Sequence, residues 1–82
     1  KNQFETLKEH EFGTNDIYCA AFVILNGYEL VRLESELGNR KLFIFDEEAE
    51  KVAKTYWNDT AKVNPRMLFS ALRDLKSVLH NA

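Results

Sequence analysis

The sequence contains only one cysteine, one proline and three glycines. A single cysteine excludes an intrachain disulfide framework and any zinc site built from several cysteines. Because glycine and proline are scarce and aromatic residues make up 12% of the chain, the composition also excludes a low-complexity or disordered protein. The most apolar stretch, residues 19–25, is far shorter than the roughly 20 residues that cross a bilayer as a helix. We therefore expect no membrane partner.

What is present is enough apolar material for one small core. The chain has 82 residues, of which 45% are hydrophobic and 29% are charged. Its formal net charge is −2, so a surface that is basic overall, and hence general nucleic-acid binding, is not expected. No secretory signal is recognisable among these residues, which predicts a cytoplasmic location.

Hydrophobic patterning predicts an N-terminal arm over residues 1–13 and a compact domain over residues 14–80. The arm shows no sustained period, whereas Thr14, Asn15 and Asp16 supply the side-chain oxygens that begin a helix, and Gly27 is placed to end it. The apolar residues between these signals recur at helical spacing. We expect this first helix to lie deep in the domain.

A β-hairpin is predicted next. Val31 and Leu33 alternate with polar residues, and a Gly38–Asn39 pair suits a two-residue turn into the apolar segment 41–45. That second strand is apolar on both faces. It is therefore expected to be covered on both sides or to pair with a further strand, for which the N-terminal arm is a candidate.

Two more helices follow in the sequence. Asp46 is predicted to cap the first of them, and Asn64–Pro65 is a strong start for the second. The last helix carries a leucine stripe at spacings of four, three and four, formed by Leu68, Leu72, Leu75 and Leu79. The predicted fold class is α+β, a small single domain of order α-β-β-α-α in which helices pack against an antiparallel hairpin, with the arm as a potential extra strand.

Groups able to perform catalysis are few. They are Cys19, which lies in the most apolar segment, and His10 and His80. A cysteine in such a segment is typical of a small buried hydrophobe, and the histidines show no metal-ligand spacing. The sequence predicts a protein that is not an enzyme, with no catalytic residues, no metal, no cofactor and no small-molecule substrate.

The C-terminal segment is more basic than the rest of the chain. Lys62, Arg66, Arg73 and Lys76 lie within residues 61–82, where the only acidic residue is Asp74. At helical spacing the arginines and Lys76 fall away from the leucine stripe. These cations are candidate nucleic-acid contacts; the alternative is the solvated outer face of an amphipathic helix.

Tyr56 and Trp57 form the candidate protein interface. Tyr56 belongs to the apolar face of its helix, and Trp57 lies about 100° around that helix. A partly exposed tryptophan is a common anchor for a protein partner. The alternative is that Trp57 covers the edge of the small core.

Several short segments are typical of one family. They are TNDIYCAAF at 14–22, NGY at 26–28, YWN at 56–58, VNPR at 63–66, Leu68–Phe69 and ALRDLK at 71–76. Over about residues 12–80, this succession resembles a small-domain family of uncharacterised function found in bacterial, phage and mobile-element proteins. The resemblance implies a compact α+β accessory domain of the bacterial or phage cytoplasm, and it transfers no catalytic residue.

The functional prediction from the sequence is a non-enzymatic accessory interaction module of phage or mobile-element type. It binds a protein partner, or itself as a homodimer, through the region around Trp57 and the last helix. The alternative is a nucleic-acid-binding accessory protein that uses the basic face of that helix.

Overall fold

The computed structural model describes residues 10–35, 38, 40–58 and 62–81. In chain order the elements are β1 (Glu11–Thr14), α1 (Ile17–Leu25), β2 (Arg32–Ser35), β3 (Lys41–Asp46), α2 (Ala49–Trp57) and α3 (Pro65–Asn81). This is the predicted small α+β domain, with a strand added before the first helix.

The three strands form one antiparallel sheet of order β1-β3-β2. Phe12 of β1 and Leu33 of β2 pair with Phe45 and Phe43 of β3, respectively. Most of β1 comes from the segment predicted as an arm, which supplies the extra strand that the apolar β3 required. The boundary between arm and domain remains a prediction.

The central strand β3 is buried on both faces. Phe43 and Phe45 join the core beneath the helices, while Leu42 and Ile44 alternate to the opposite face and are also fully buried. On that opposite face Arg32 of β2 reaches across β3 to Glu11 of β1, forming two hydrogen bonds of 2.6 and 3.0 Å. The face of the sheet turned away from the helices is thus partly covered by an ion pair.

Arg32 is held by two carboxylates. Besides Glu11, it donates from Nε to Glu34 at 2.6 Å. The hydrogen bonds to Glu11 and then to Glu34 raise the pKa of the Arg32 guanidinium, which therefore stays charged. Arg32 and Glu34 point away from the helices, as their alternation with Leu33 predicts.

One of the two detailed predictions about the hairpin, the burial of Val31, is wrong. The other, the two-residue turn at Gly38–Asn39, lies partly outside the described residues, although Gly38 itself adopts a positive φ of +77°. Val31, expected on the inner face with Leu33, is 53% exposed. Val31 lies immediately before β2, which begins at Arg32, and although its backbone N–H donates to the Ile44 carbonyl at 2.7 Å, its side chain is left uncovered.

The starts of α1 and α3 agree with their sequence signals, but the prediction that Asp46 caps α2 is wrong. That helix begins after Glu48 with no side-chain cap, and Asp46 instead accepts from the Glu48 backbone N–H at 3.1 Å, two residues too early to cap the helix. The Asp16 carboxylate accepts hydrogen bonds from the backbone N–H groups of Tyr18 and Cys19 at the start of α1. Asn64 accepts from Arg66 and Met67 at the start of α3. α1 contacts both α2 and α3, and its centre is fully buried. The packing of α3 against α1 determines which sides of α3 remain exposed.

Candidate interaction surfaces on the last helix

One side of α3 combines cations with an exposed aromatic ring. We call Arg66, Phe69, Arg73 and Lys76 the basic–aromatic stripe. At 3.6 residues per turn these four positions lie within about 80° of arc and extend over about 15 Å of helix. All four side chains are exposed, and Phe69 is 67% exposed. The structure therefore brings three of the four predicted cations onto one surface.

The fourth predicted cation lies elsewhere. Lys62 precedes α3 and lines a small depression of about 170 Å³ together with Leu25, Val63 and Met67. It is exposed but belongs to the opposite flank of the helix. Lys62 is therefore not part of the basic–aromatic stripe.

None of the three cations of the stripe forms an ion pair with an acidic residue that the structure describes. Ion pairs among the described residues involve His10, Arg32 and Lys51 but none of the α3 cations. Asp74, the only acidic residue of α3, lies about 100° around the helix from Arg73. Towards the C-terminal end the helix lines a depression of about 590 Å³, to which Arg73, Lys76 and His80 contribute. The surface is open to an anion.

The other flank of α3 forms an apolar groove against α1 and the segment before β2. We call it the α3 groove; its volume is about 420 Å³, and it is lined by Ile24, Leu25, Leu30, Met67, Ser70, Ala71, Asp74, Leu75 and Val78. Met67 is 56% exposed and Val78 is 43% exposed. Leu75 and Ala71, by contrast, are buried in the core. The groove is thus a place where the core approaches the surface.

The predicted interface pair on α2 is engaged within the fold. Tyr56 packs against Phe22 with ring centroids 5.8 Å apart, and its hydroxyl donates to Asp16 at 3.5 Å. Burial, and next the Asp16 carboxylate, raises the pKa of the Tyr56 phenol. Trp57 packs on Phe12 at 5.9 Å but is still 52% exposed. Trp57 both covers the edge of the core and presents part of its ring to solvent.

The groups suited to catalysis lie in different parts of the fold. Cys19 is fully buried, His10 is exposed and lies 3.3 Å from Glu47, and His80 is on the exposed side of α3. Within the described ranges no group of three or more histidine, cysteine, aspartate or glutamate residues is arranged to hold a metal ion. Burial raises the pKa of the Cys19 thiol to about 11, and the Thr14 hydrogen bond opposes that shift.

We predict that Cys19 in the folded protein reacts with a disulfide reagent at least about a hundredfold more slowly at pH 8 than in the urea-unfolded chain, because thiolate is scarce and the sulfur is covered. The raised pKa also means that the folded state holds the thiol proton more tightly. The free energy of unfolding should therefore fall between about pH 9 and 11 as the unfolded thiol ionises.

The release of the reagent's chromophore measures the Cys19 reaction. A Cys19→Ala variant, with no thiol, provides the blank and should lose the thiol-dependent part of the fall in stability. Equal rates for folded and unfolded protein would contradict the burial of Cys19.

Phe69 and the α3 groove are the surface features that sequence reasoning missed. Phe69 lies about 100° from Leu68 on the helix, a position that by itself marks it as lying outside the leucine stripe. The groove had no such signal, because its far wall comes from Ile24, Leu25 and Leu30. Those residues are distant from α3 in the sequence.

Comparison with known proteins identifies a family but no function. No curated protein and no solved structure matches the chain significantly. In the part of the chain that the structure describes, no helix has the length and apolar character needed to cross a membrane. Residues 9–81 match the family described as a domain of unknown function, DUF5659. The protein therefore belongs to the DUF5659 family.

Proposed function

We propose that this domain is a non-enzymatic interaction module that binds a protein partner, or a second copy of itself, through the α3 groove. The observation that supports this most directly is the exposure of Met67 and Val78 at the rim of a concave surface whose other walls are apolar. Covering exposed apolar surface with a partner lowers the free energy of the system. Concentrated apolar patches on a protein surface therefore mark interaction sites.

The composition of the groove specifies the chemistry of its partner. Asp74 is the one charged residue in a lining that is otherwise apolar, apart from Ser70. A complementary segment would insert aliphatic or aromatic side chains and place a lysine or arginine beside Asp74. Trp57, half exposed on α2, is the candidate for a second contact with a larger partner.

The cellular setting is part of this proposal. The motif segments that resemble a family of bacterial, phage and mobile-element proteins favour an accessory role in the bacterial or phage-infected cytoplasm. A module of this kind recruits a partner and performs no chemistry itself.

Photo-crosslinking tests the proposal at the groove. With benzoylphenylalanine in place of Met67, irradiation of cells containing the protein should give a discrete protein adduct, because the rim of the groove would touch the partner. The adduct is measured by gel mobility and mass spectrometry. The same amino acid in place of Lys54, exposed on α2, should give none.

A second substitution connects that adduct to the groove. Val78→Asp places a charge at the other end of the groove and should abolish the adduct formed from position 67, whereas Lys54→Asp should leave it intact. An adduct of twice the protein's mass, also formed by the purified chain, identifies a second copy as the partner. If position 67 yields no more adduct than position 54, the proposal is wrong.

A nucleic-acid-binding accessory role is the second candidate function. It is favoured by the common exposed surface of Arg66, Arg73 and Lys76, with Lys62 nearby in the sequence but on the other flank. The net charge of −2 does not oppose it strongly, since exposed charges more than about 10 Å away are largely screened at 0.1 M salt. This function predicts a mobility shift with oligonucleotides at about 50 mM salt that weakens steeply by about 200 mM.

A further inference from the structure

Phe69 is the most exposed large apolar residue that the structure describes, at 67%. It lies three residues after Arg66 and four before Arg73, so both arginines are its neighbours on the helix surface. Lys76 lies one further turn along the same side. An apolar ring is therefore flanked by cations along the side of α3 opposite the groove.

We propose that the basic–aromatic stripe binds a single-stranded nucleic acid, with the Phe69 ring stacked on an unpaired base and the flanking cations on phosphates. This inference rests on the second candidate function and makes it more specific. An aromatic ring offers the base a flat apolar surface, and stacking of this kind tolerates any base sequence.

The exposed ring of Phe69 favours a single strand over a duplex as the ligand. In a duplex the faces of the bases are covered by their neighbours, so cations alone would account for binding and the ring would contribute little. In a single strand the bases can turn outward and stack on aromatic side chains or arginine planes. The two arginines beside Phe69 add such planes, and they can also contact phosphates.

The arrangement of charge on α3 favours a strand that runs along the helix. Arg66 and Lys76 are about 15 Å apart along the axis, with Phe69 and Arg73 between them. Asp74 faces the groove instead. Beyond Lys76 the depression that includes His80 continues the same surface, so the strand meets no acidic residue of α3 on this side.

Fluorescence anisotropy with a labelled oligothymidine of about 16 nucleotides, and with a duplex of the same length, tests this inference at about 50 mM salt. The unchanged protein should bind the single strand more tightly. Phe69→Ala should weaken single-strand binding about tenfold to a hundredfold, because stacking on one base is lost. Phe69→Trp should preserve binding, and Phe69→Leu should not.

Met67→Ala provides the matched control, since Met67 is also exposed on α3 but lies on the groove flank. It should leave oligonucleotide affinity unchanged. Because Phe69 and Met67 are both largely exposed, neither substitution is expected to unfold the domain, and circular dichroism verifies this.

The alternative results separate this inference from the functions on which it depends. Equal affinity for the two nucleic acids, with no effect of Phe69→Ala, overturns the single-strand inference while leaving the second candidate function standing. No binding to either probe overturns both. If Phe69→Ala instead abolishes a protein adduct formed from position 67 and no oligonucleotide binds, the stripe belongs to the protein interface and the inference fails.

Discussion

Replacing Phe45 with alanine should lower the free energy of unfolding by about 3–5 kcal/mol. Phe45 is fully buried on the central strand of the sheet, opposite Phe12 of β1, and it belongs to the core beneath the helices. The alanine variant loses the buried ring and leaves a cavity that strands on either side prevent from closing. The free energy of unfolding of a domain of this length is typically about 4–12 kcal/mol. The Phe45→Ala variant would therefore lose much of its stability.

Urea denaturation followed by circular dichroism measures this effect. Phe69→Ala is the matched control, because it removes the same atoms from a side chain that is 67% exposed. Its effect should stay within about 0.5 kcal/mol. If the two variants lost the same stability, the placement of Phe45 inside the core and Phe69 outside it would be wrong.

Removing two cations of the stripe should produce the other large effect, under the second candidate function. Each phosphate contact with a single strand contributes about 0.7 to the slope of log affinity against log salt concentration. An Arg66→Ala, Arg73→Ala double variant should therefore have a slope that is shallower by about 1.4. If the two proteins bind equally at 1 M salt, where such contacts contribute little, the same relation gives an affinity loss of about 70-fold at 50 mM salt that shrinks to about tenfold at 200 mM.

An Arg40→Ala, Lys54→Ala double variant controls for the change in net charge. Arg40 and Lys54 are exposed and lie outside α3, so their loss should alter the affinity and the salt slope much less. Anisotropy titrations over the same salt range measure both variants. Equal effects of the two double variants would indicate attraction to net charge instead of contacts at the stripe.

The start and end of α1 and the start of α3 could be predicted because their causes are local. The Asp16 and Asn64 side chains accept from backbone N–H groups only two or three residues ahead. Gly27, two residues after the end of α1, takes φ +97°, a conformation that costs glycine little. Signals of this kind act within one turn of chain, so reading them requires no knowledge of the fold.

The hairpin was predicted less well because its geometry depends on how the strands pair with one another. Gly38 signals a turn and takes a positive φ, but the register that pairs Leu33 with Phe43 is set by contacts between the strands. The exposure of Val31 likewise depends on what packs beside the end of β2, which local alternation does not reveal. Pairing β3 with both β1 and β2 aligns segments distant in sequence, and no short window contains that information.

The interaction surfaces likewise divide into features that local spacing predicts and features that depend on the tertiary structure. Helical periodicity alone placed Arg66, Arg73 and Lys76 together and away from the leucine stripe, because positions on one helix are related by simple rotation. The sequence also established an acidic single domain with one cysteine and a strongly apolar central strand. Those features depend on composition and local spacing.

The α3 groove and the exposure of Phe69 required the folded protein. The groove exists because α3 packs against α1 with Leu30 beside them, so residues about forty positions apart form its two walls. Phe69 remains in water because the leucine stripe, not Phe69, is the side that α1 covers. The sequence specifies which residues are apolar. Which of them are buried depends on which surfaces meet, and that is decided only when the whole domain folds.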